Sequence, residues 1–236
     1  MAKMNIAIVP AKELHHAKRR LATLLADKER RELSLCMLRD VTTALVAARK
    51  VDRTVVVSPD TAVLSVAEET GCGSVREPTP TGGLNASLDR IIQDRALALA
   101  STVLVLPADL PAVLPDEIDA VLEALPAERG VVICPSQSGG TNAIAVRPPQ
   151  ALPFRFGEAS FTAHRREAAN REMPFHVMEL PSLTLDIDDP QDIADLVASP
   201  LWKEERAAAT RAFLSGILVN SRIAAAVGAS ACLGGS

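Results

Sequence analysis

The sequence predicts an α/β domain built on a mostly parallel sheet with helices on both faces. Three observations carry this. Short runs of Ile, Val and Leu recur without the polar alternation of a half-solvated strand, as at residues 5–9, 53–57, 102–106 and 131–134; strands covered on both faces read this way. Between them lie segments whose apolar residues fall at three- and four-residue spacing. Pro, Gly and Asp sit where one kind of segment gives way to the other. Short strands alternating with helices make crossover units, and hence a largely parallel sheet.

The elements follow in order. Residues 5–9 suit a buried strand ended by Pro10, and residues 11–26 are basic and loop-like, with Lys12, Lys18, Arg19 and Arg20. A helix starts at Asp27 as N-cap, with Leu33, Met37, Val41, Leu45 and Ala48 as its apolar stripe. Residues 53–57 form a second strand, stopped by Ser58-Pro59-Asp60, and residues 60–70 a helix closed by Gly71. Residues 78–83 are a Pro/Gly loop; residues 84–100 read as a helix leading into the strand 102–106. Pro115 opens a helix over 115–125. Strands at 131–134 and 142–146 flank a turn at 136–141. Ser160 is the expected N-cap of the next helix, residues 182–188 alternate as a strand, and Asp189-Pro190 starts a helix over 190–198. Residues 1–200 thus form one domain. Residues 201–236 are an Ala-rich helical extension, frayed after about 228, whose apolar stretch 213–227 is suited to packing on the domain or on a second subunit of a homodimer.

Composition narrows the function. The chain has 236 residues, 48% of them hydrophobic, which excludes a disordered chain. A net charge of −4 argues against wrapping nucleic acid, and 3% aromatics with no Tyr leave no platform for base stacking. A local basic pocket for one phosphate-bearing small molecule remains compatible. Cys36, Cys72, Cys134 and Cys232 form no Cys-x-x-Cys pair and lie at no zinc-ligand spacing with the His residues. The apolar start is too short for a signal peptide, and the longest apolar run, residues 96–106, is too short to span a bilayer. A reduced, cytoplasmic, membrane-free setting is expected.

Five places could carry chemistry. Asp109 lies between Pro107 and Pro111 just past a strand, where open α/β sheets bind ligands and a carboxylate can hold Mg²⁺; a plain turn also suits it. Asp186 and Asp188, two apart on an expected strand, point the same way, and a cation between them relieves their repulsion; a solvated turn is the alternative. Lys12, Lys18 and Arg20 could neutralise a triphosphate or could simply be solvated. Gly139-Gly140-Thr141 could bring backbone N–H groups to an anion or make a hairpin turn. Gly157 and Ser160 precede a helix whose first N–H groups bind anions, and capping alone would also explain the Ser; His164 and Arg165 could equally be exposed on that helix.

In this order the fragments resemble the CofC/FbiD family of phospholactate-type guanylyltransferases. The matching stretches are Val9-Pro10-Ala11-Lys12, Ala17-Lys18-Arg19-Arg20-Leu21, Met37-Leu38-Arg39-Asp40-Val41, Val56-Val57-Ser58-Pro59-Asp60 and Gly83-Leu84-Asn85-Ala86-Ser87-Leu88. They continue with Pro107-Ala108-Asp109-Leu110-Pro111, Ser138-Gly139-Gly140-Thr141-Asn142-Ala143, Phe156-Gly157-Glu158-Ala159-Ser160-Phe161 with His164, and Leu185-Asp186-Ile187-Asp188-Asp189-Pro190. The resemblance spans about residues 5–198. It implies a GT-A-like nucleotidyltransferase fold and transfer of GMP from GTP to the phosphate of 2-phospho-L-lactate, phosphoenolpyruvate or 3-phospho-D-glycerate, with release of pyrophosphate, in coenzyme F(420) biosynthesis. It further implies Mg²⁺ held by Asp109, Asp186 and Asp188. Lys12 would lie at the acceptor and nucleotide phosphates, Thr141, Gly157 and Ser160 at the acceptor, Lys18 and Arg20 at the GTP phosphates, and Asn85 near the base and sugar. A nucleotidyltransferase for molybdopterin or a sugar phosphate is the rival reading, with a non-catalytic nucleotide-binding protein behind it.

Overall fold

A computed structural model describes residues 4–77, 82–94, 97, 99–203 and 206–218. Seven strands form one sheet in the order β3-β2-β1-β4-β6-β5-β7. Here β1 is Met4–Pro10, β2 Arg53–Ser58, β3 Gly73–Arg76, β4 Ala100–Val105, β5 Gly130–Pro135, β6 Thr141–Arg147 and β7 Phe175–Val177. The first four run parallel, β6 is antiparallel to both β4 and β5, and β7 is parallel to β5. The helices are α1 Asp27–Ala47, α2 Thr61–Glu69, α3 Leu84–Gln93, α4 Pro115–Glu123, α5 Ser160–Asn170, α6 Pro190–Ala198, α7 Pro200–Lys203 and α8 Ala208–Leu218.

The two faces follow from the period of the strands. In β1, Ala7 and Val9 join one core with Leu38, Val41 and Leu45 of α1, Val63 of α2 and Ile118 of α4. Ile6 and Ile8 point the other way, into a core with Leu88 and Ile91 of α3, Phe154 and Ala168 of α5. The central strands are therefore apolar on both sides, and continuous Val/Ile runs result.

Strand order places the site. Chain growth leaves β1 toward β2 on one side and returns through β4 on the other, so a crevice opens past the carboxyl ends of β1 and β4. Because β6 runs antiparallel, with Ile144 opposite Val105, its first residues, Thr141 and Asn142, arrive at that same edge. A third, smaller core closes over it. Leu21 and Leu25 from the basic loop, Leu33 and Met37 of α1, Ile187, Ile193 and Leu196 near α6, and Leu214 of α8 pack together.

Several expectations need correction. Residues 182–188 are not a strand: Pro181–Leu183 is a 3₁₀ turn. The Ser182 N–H donates to Glu117 and the Ile187 N–H to the Asp109 carbonyl, 3.0 Å each, so no ladder forms. The alternating apolar residues are satisfied by two separate cores, Leu183 in one and Ile187 in another. The helix begun at Leu84 ends at Gln93 instead of running to 100. The first helix is capped by Ala26 and not Asp27, whose carboxylate instead pairs with Arg30 at 2.6 Å. Ser160 is not an N-cap: Ala159, in left-handed backbone with φ 51°, occupies that position. The basic stretch folds into two short 3₁₀ turns, Leu14–His16 and Arg19–Thr23. The expected Pro/Gly loop falls partly on residues 78–81, and the tail from 219, with its expected fraying and Cys232, falls wholly outside the described residues.

Candidate active site

Two acidic residues from distant segments meet on one lysine, with a third, Asp186, close enough for their charges to act on it. Lys18 Nζ donates to Asp109 Oδ2 at 2.7 Å and to Asp188 Oδ1 at 2.8 Å, and only 10% of its side chain is exposed. Asp109 stands in the loop after β4, and Asp188 just before α6. The backbone bond from Ile187 N–H to the Asp109 carbonyl ties the two loops together. Lys18 itself sits in left-handed backbone, φ 48°, which costs a residue with a Cβ about 1 kcal/mol or more. The packing of Leu21 beneath it holds that conformation.

The electrostatics record the crowding. Burial alone would lower the Lys18 ammonium, yet Asp109 and Asp188 together raise it. Burial pushes Asp188 up, but Lys18, then Arg20 and Lys12, hold its carboxyl below the usual range. Asp186 goes the other way: burial raises it, a hydrogen bond from Asn142 lowers it, and the charges of Asp109 and Asp188 raise it further. Asn142 Nδ2 anchors Asp186 Oδ1 at 3.0 Å and also donates to the Leu183 carbonyl at 2.9 Å. Asp186 thus remains a carboxylate among carboxylates with no cation of its own.

This donor set fits a hard divalent ion. All three ligand candidates are carboxylate oxygens, the type that Mg²⁺ takes, and the charges of Asp109 and Asp188 act on Asp186. The Lys18 ammonium lies between Asp109 and Asp188, and among the described residues no group of three or more His, Cys, Asp or Glu is placed to hold a metal ion as it stands. Asp109 and Asp188 would have to give up their bonds to Lys18 in order to serve as ligands. Arg20, Ser138, Asp186 and Asp188 line one open cleft beside the cluster.

A second constellation lies next to it, built from neutral groups. Ser136–Gly140 is the β5–β6 hairpin turn, closed by the Gly140 N–H to Ser136 Oγ at 2.7 Å. A Cβ on Gly140 would lie 2.8 Å from that oxygen, so a larger residue there would displace the Ser136 hydroxyl. Ser160 Oγ donates to Thr141 Oγ1 at 3.0 Å. His164, one turn further along α5 and fully buried, has Nδ1 3.1 Å from the same Thr141 oxygen. Its Nε2 accepts the Arg155 N–H at 2.8 Å. Burial holds the imidazole down at about 4, despite the Ser160 carbonyl, which favours the proton. Gly157, with φ +135°, makes the turn into α5 in backbone that only glycine adopts without strain.

The structure brings together Asp109, Asp186, Asp188, Lys18 and Arg20, and, beside them, Thr141 and Ser160. Lys12 is exposed, and its charge reaches Asp188. Asn85 spends its amide elsewhere: Nδ2 donates to the Phe156 carbonyl at 3.0 Å and Oδ1 accepts the Phe156 N–H at 2.8 Å, clamping the loop that carries Gly157. Sequence reasoning gave no role to Asn142 and left His164 open as a surface residue. The adjacency of Asn142 to Thr141 was the available signal for the first; His164 had only its four-residue spacing from Ser160.

A family model described as "Guanylyl transferase CofC like" matches residues 4–219. The chain belongs to this CofC-like family of guanylyl transferases. A phosphoenolpyruvate guanylyltransferase of Sphaerobacter thermophilus is 45% identical over 81% of this chain and 92% of its own length. A 2-phospho-L-lactate guanylyltransferase of Methanothermobacter thermautotrophicus is 34% identical over 81% and 83%, and a 3-phospho-D-glycerate guanylyltransferase of Phenylobacterium zucineum 35% over 78% and 85%. Among solved structures, a nucleotidyl transferase from M. thermautotrophicus superposes with a TM-score of 0.61 at 18% identity, covering 83% of this chain and 96% of that one. The fold is that of the nucleotidyltransferases, and a CofC-like chain with this sheet is an enzyme of that class. No helix among the described residues is long and apolar enough to cross a membrane.

Proposed function

We propose that this CofC-like enzyme transfers GMP from GTP to the phosphate of phosphoenolpyruvate and releases pyrophosphate, in coenzyme F(420) biosynthesis in the cytoplasm. The observation that supports the chemistry is the pairing of Asp109 and Asp188 on Lys18 at the sheet edge with Asp186 beside them, near the Thr141–Ser160 hydroxyl pair. The choice of acceptor is supported by the 45% and 43% identical relatives, both named phosphoenolpyruvate guanylyltransferase.

Both reactants are anions, so charge neutralisation is the main task. A phosphate monoester is already ionised at neutral pH, its second pKa being about 6, and needs no strong base. Its oxygen attacks the α-phosphorus of GTP in line while pyrophosphate leaves, and catalysis reduces to positioning and electrostatics. Asp109, Asp186 and Asp188 would hold Mg²⁺, which would supply polarisation of the triphosphate oxygens. Lys18, released from its carboxylates, and Arg20 face the GTP phosphates, and Lys12 offsets charge near the α-phosphorus. Thr141, Gly157 and Ser160 fix the acceptor; Asn85 holds the loop bearing Gly157.

The test is turnover of the three acids in parallel with GTP, CTP or ATP and Mg²⁺, following pyrophosphate and identifying the product by mass. A guanylylated phosphoenolpyruvate formed in preference to the other products is expected. Pyrophosphate release only with molybdopterin or a sugar phosphate would transfer the chain to another branch of the class.

A further inference from the structure

We infer that His164 is a positioning residue for the acceptor: it fixes the polarity of a buried hydroxyl relay so that Thr141 presents a hydrogen-bond donor to the anion. The inference deepens the guanylyltransferase reading and rests on it.

The argument is a count of protons and lone pairs. A backbone N–H can only donate, so the 2.8 Å bond from Arg155 N–H to Nε2 makes that nitrogen an acceptor. A neutral imidazole with a bare Nε2 carries its proton on Nδ1. That proton faces Thr141 Oγ1 at 3.1 Å, with the Ser160 carbonyl of the preceding turn also beside it. Ser160 Oγ donates to the same oxygen at 3.0 Å. A hydroxyl has two acceptor sites and one proton. Both acceptor sites of Thr141 are therefore filled, and its O–H is left with no acceptor among the described residues. Thr141 becomes a donor by exclusion. A phosphate or carboxylate oxygen is an acceptor and matches it.

The surroundings preserve this state. His164 is fully buried, and Phe154 and Phe156 meet its ring edge-on, with centroids 6.4 and 5.2 Å away. The ring cannot rotate to exchange its nitrogens without displacing an aromatic neighbour. Its partner Arg155 N–H is next to the Phe156 backbone that Asn85 clamps, so the register of the whole loop is fixed from both sides.

Two near-isosteric variants separate this role from simple packing. His164→Asn places an amide N–H near the Nδ1 position and keeps the donor to Thr141. His164→Gln reaches the Arg155 N–H instead and loses that donor. With phosphoenolpyruvate and GTP varied separately, His164→Asn is expected to keep the acceptor KM within about threefold of wild type. His164→Gln is expected to raise it about tenfold or more, the scale of a lost hydrogen bond to an ion, with the GTP KM unchanged in both. Equal effects of the two variants, or a GTP KM that moves with the acceptor KM, would overturn the inference. Absence of guanylyl transfer by the wild type would instead reject the reading on which it rests. If either variant fails to fold, ¹⁵N NMR of wild-type histidine decides the matter: a proton on Nδ1 supports the relay, and one on Nε2 refutes it.

Discussion

At the scale of single residues, charge and proton inventories decide what the site can do. Lys18 compensates Asp109 and Asp188 while Asp186 goes without a cation. Lys18→Met should therefore melt at lower temperature than wild type in EDTA, and recover most of that loss when millimolar Mg²⁺ is added. A melting curve indifferent to Mg²⁺ in this variant would separate the carboxylates from metal binding. His164 gives a pH signature. Its folded-state value, about 4, lies below the ordinary 6.5, so between the two the unfolded chain binds more protons than the folded one. Stability from this group is complete above 6.5 and falls as pH drops toward 4, with a slope of about 1.4 kcal/mol per pH unit. Denaturation across that window should show the slope in wild type and lose it in His164→Asn. Asp109, Asp186 and Asp188 could be singled out in the sequence by a place after a strand and a two-residue spacing, although a turn suited each of them as well. The His164 relay was not legible, because a tautomer depends on a backbone N–H nine residues earlier in the chain, which no local pattern reveals.

Among the elements, the strands with two covered faces were readable, and the half-covered ones were not. β3 and β7 are four and three residues long and lie at the sheet edges, too short for periodicity to register. The alternation at 182–188 was real but was distributed between two cores instead of two faces of a strand. Packing between elements also explains the C-terminal extension. α8 has its first N–H groups satisfied from another helix: Asp40 of α1 accepts from Ala209 N–H at 2.9 Å and Thr210 N–H at 2.8 Å. Asp40→Ala should cost about 1 kcal/mol, the usual loss of a cap, with hydrogen-exchange protection falling selectively over residues 208–218. Uniform loss of protection across the sheet would mean that the extension is not separately secured. Because Leu214 shares the small core with Leu21 and Ile187, this helix also supports the loops that carry Lys18 and Asp188.

For the whole molecule, topology converts sequence distance into proximity. One antiparallel strand in a parallel sheet delivers Thr141 and Asn142 to the edge where β1 and β4 end. Residues 18, 109, 142, 186 and 188 thereby come together in one polar cluster, and the proposed function needs carboxylates for a cation there and a hydroxyl donor for an anion at Thr141. That polarity, cation-binding beside anion-binding, is what joining two phosphates requires. Its most direct test is Mn²⁺ binding in the presence of GTP, followed by water-proton relaxation in wild type and in Asp186→Asn, a variant that removes the charge and keeps the shape. The account predicts affinity weaker by about tenfold or more; an unchanged Mn²⁺ affinity would contradict it.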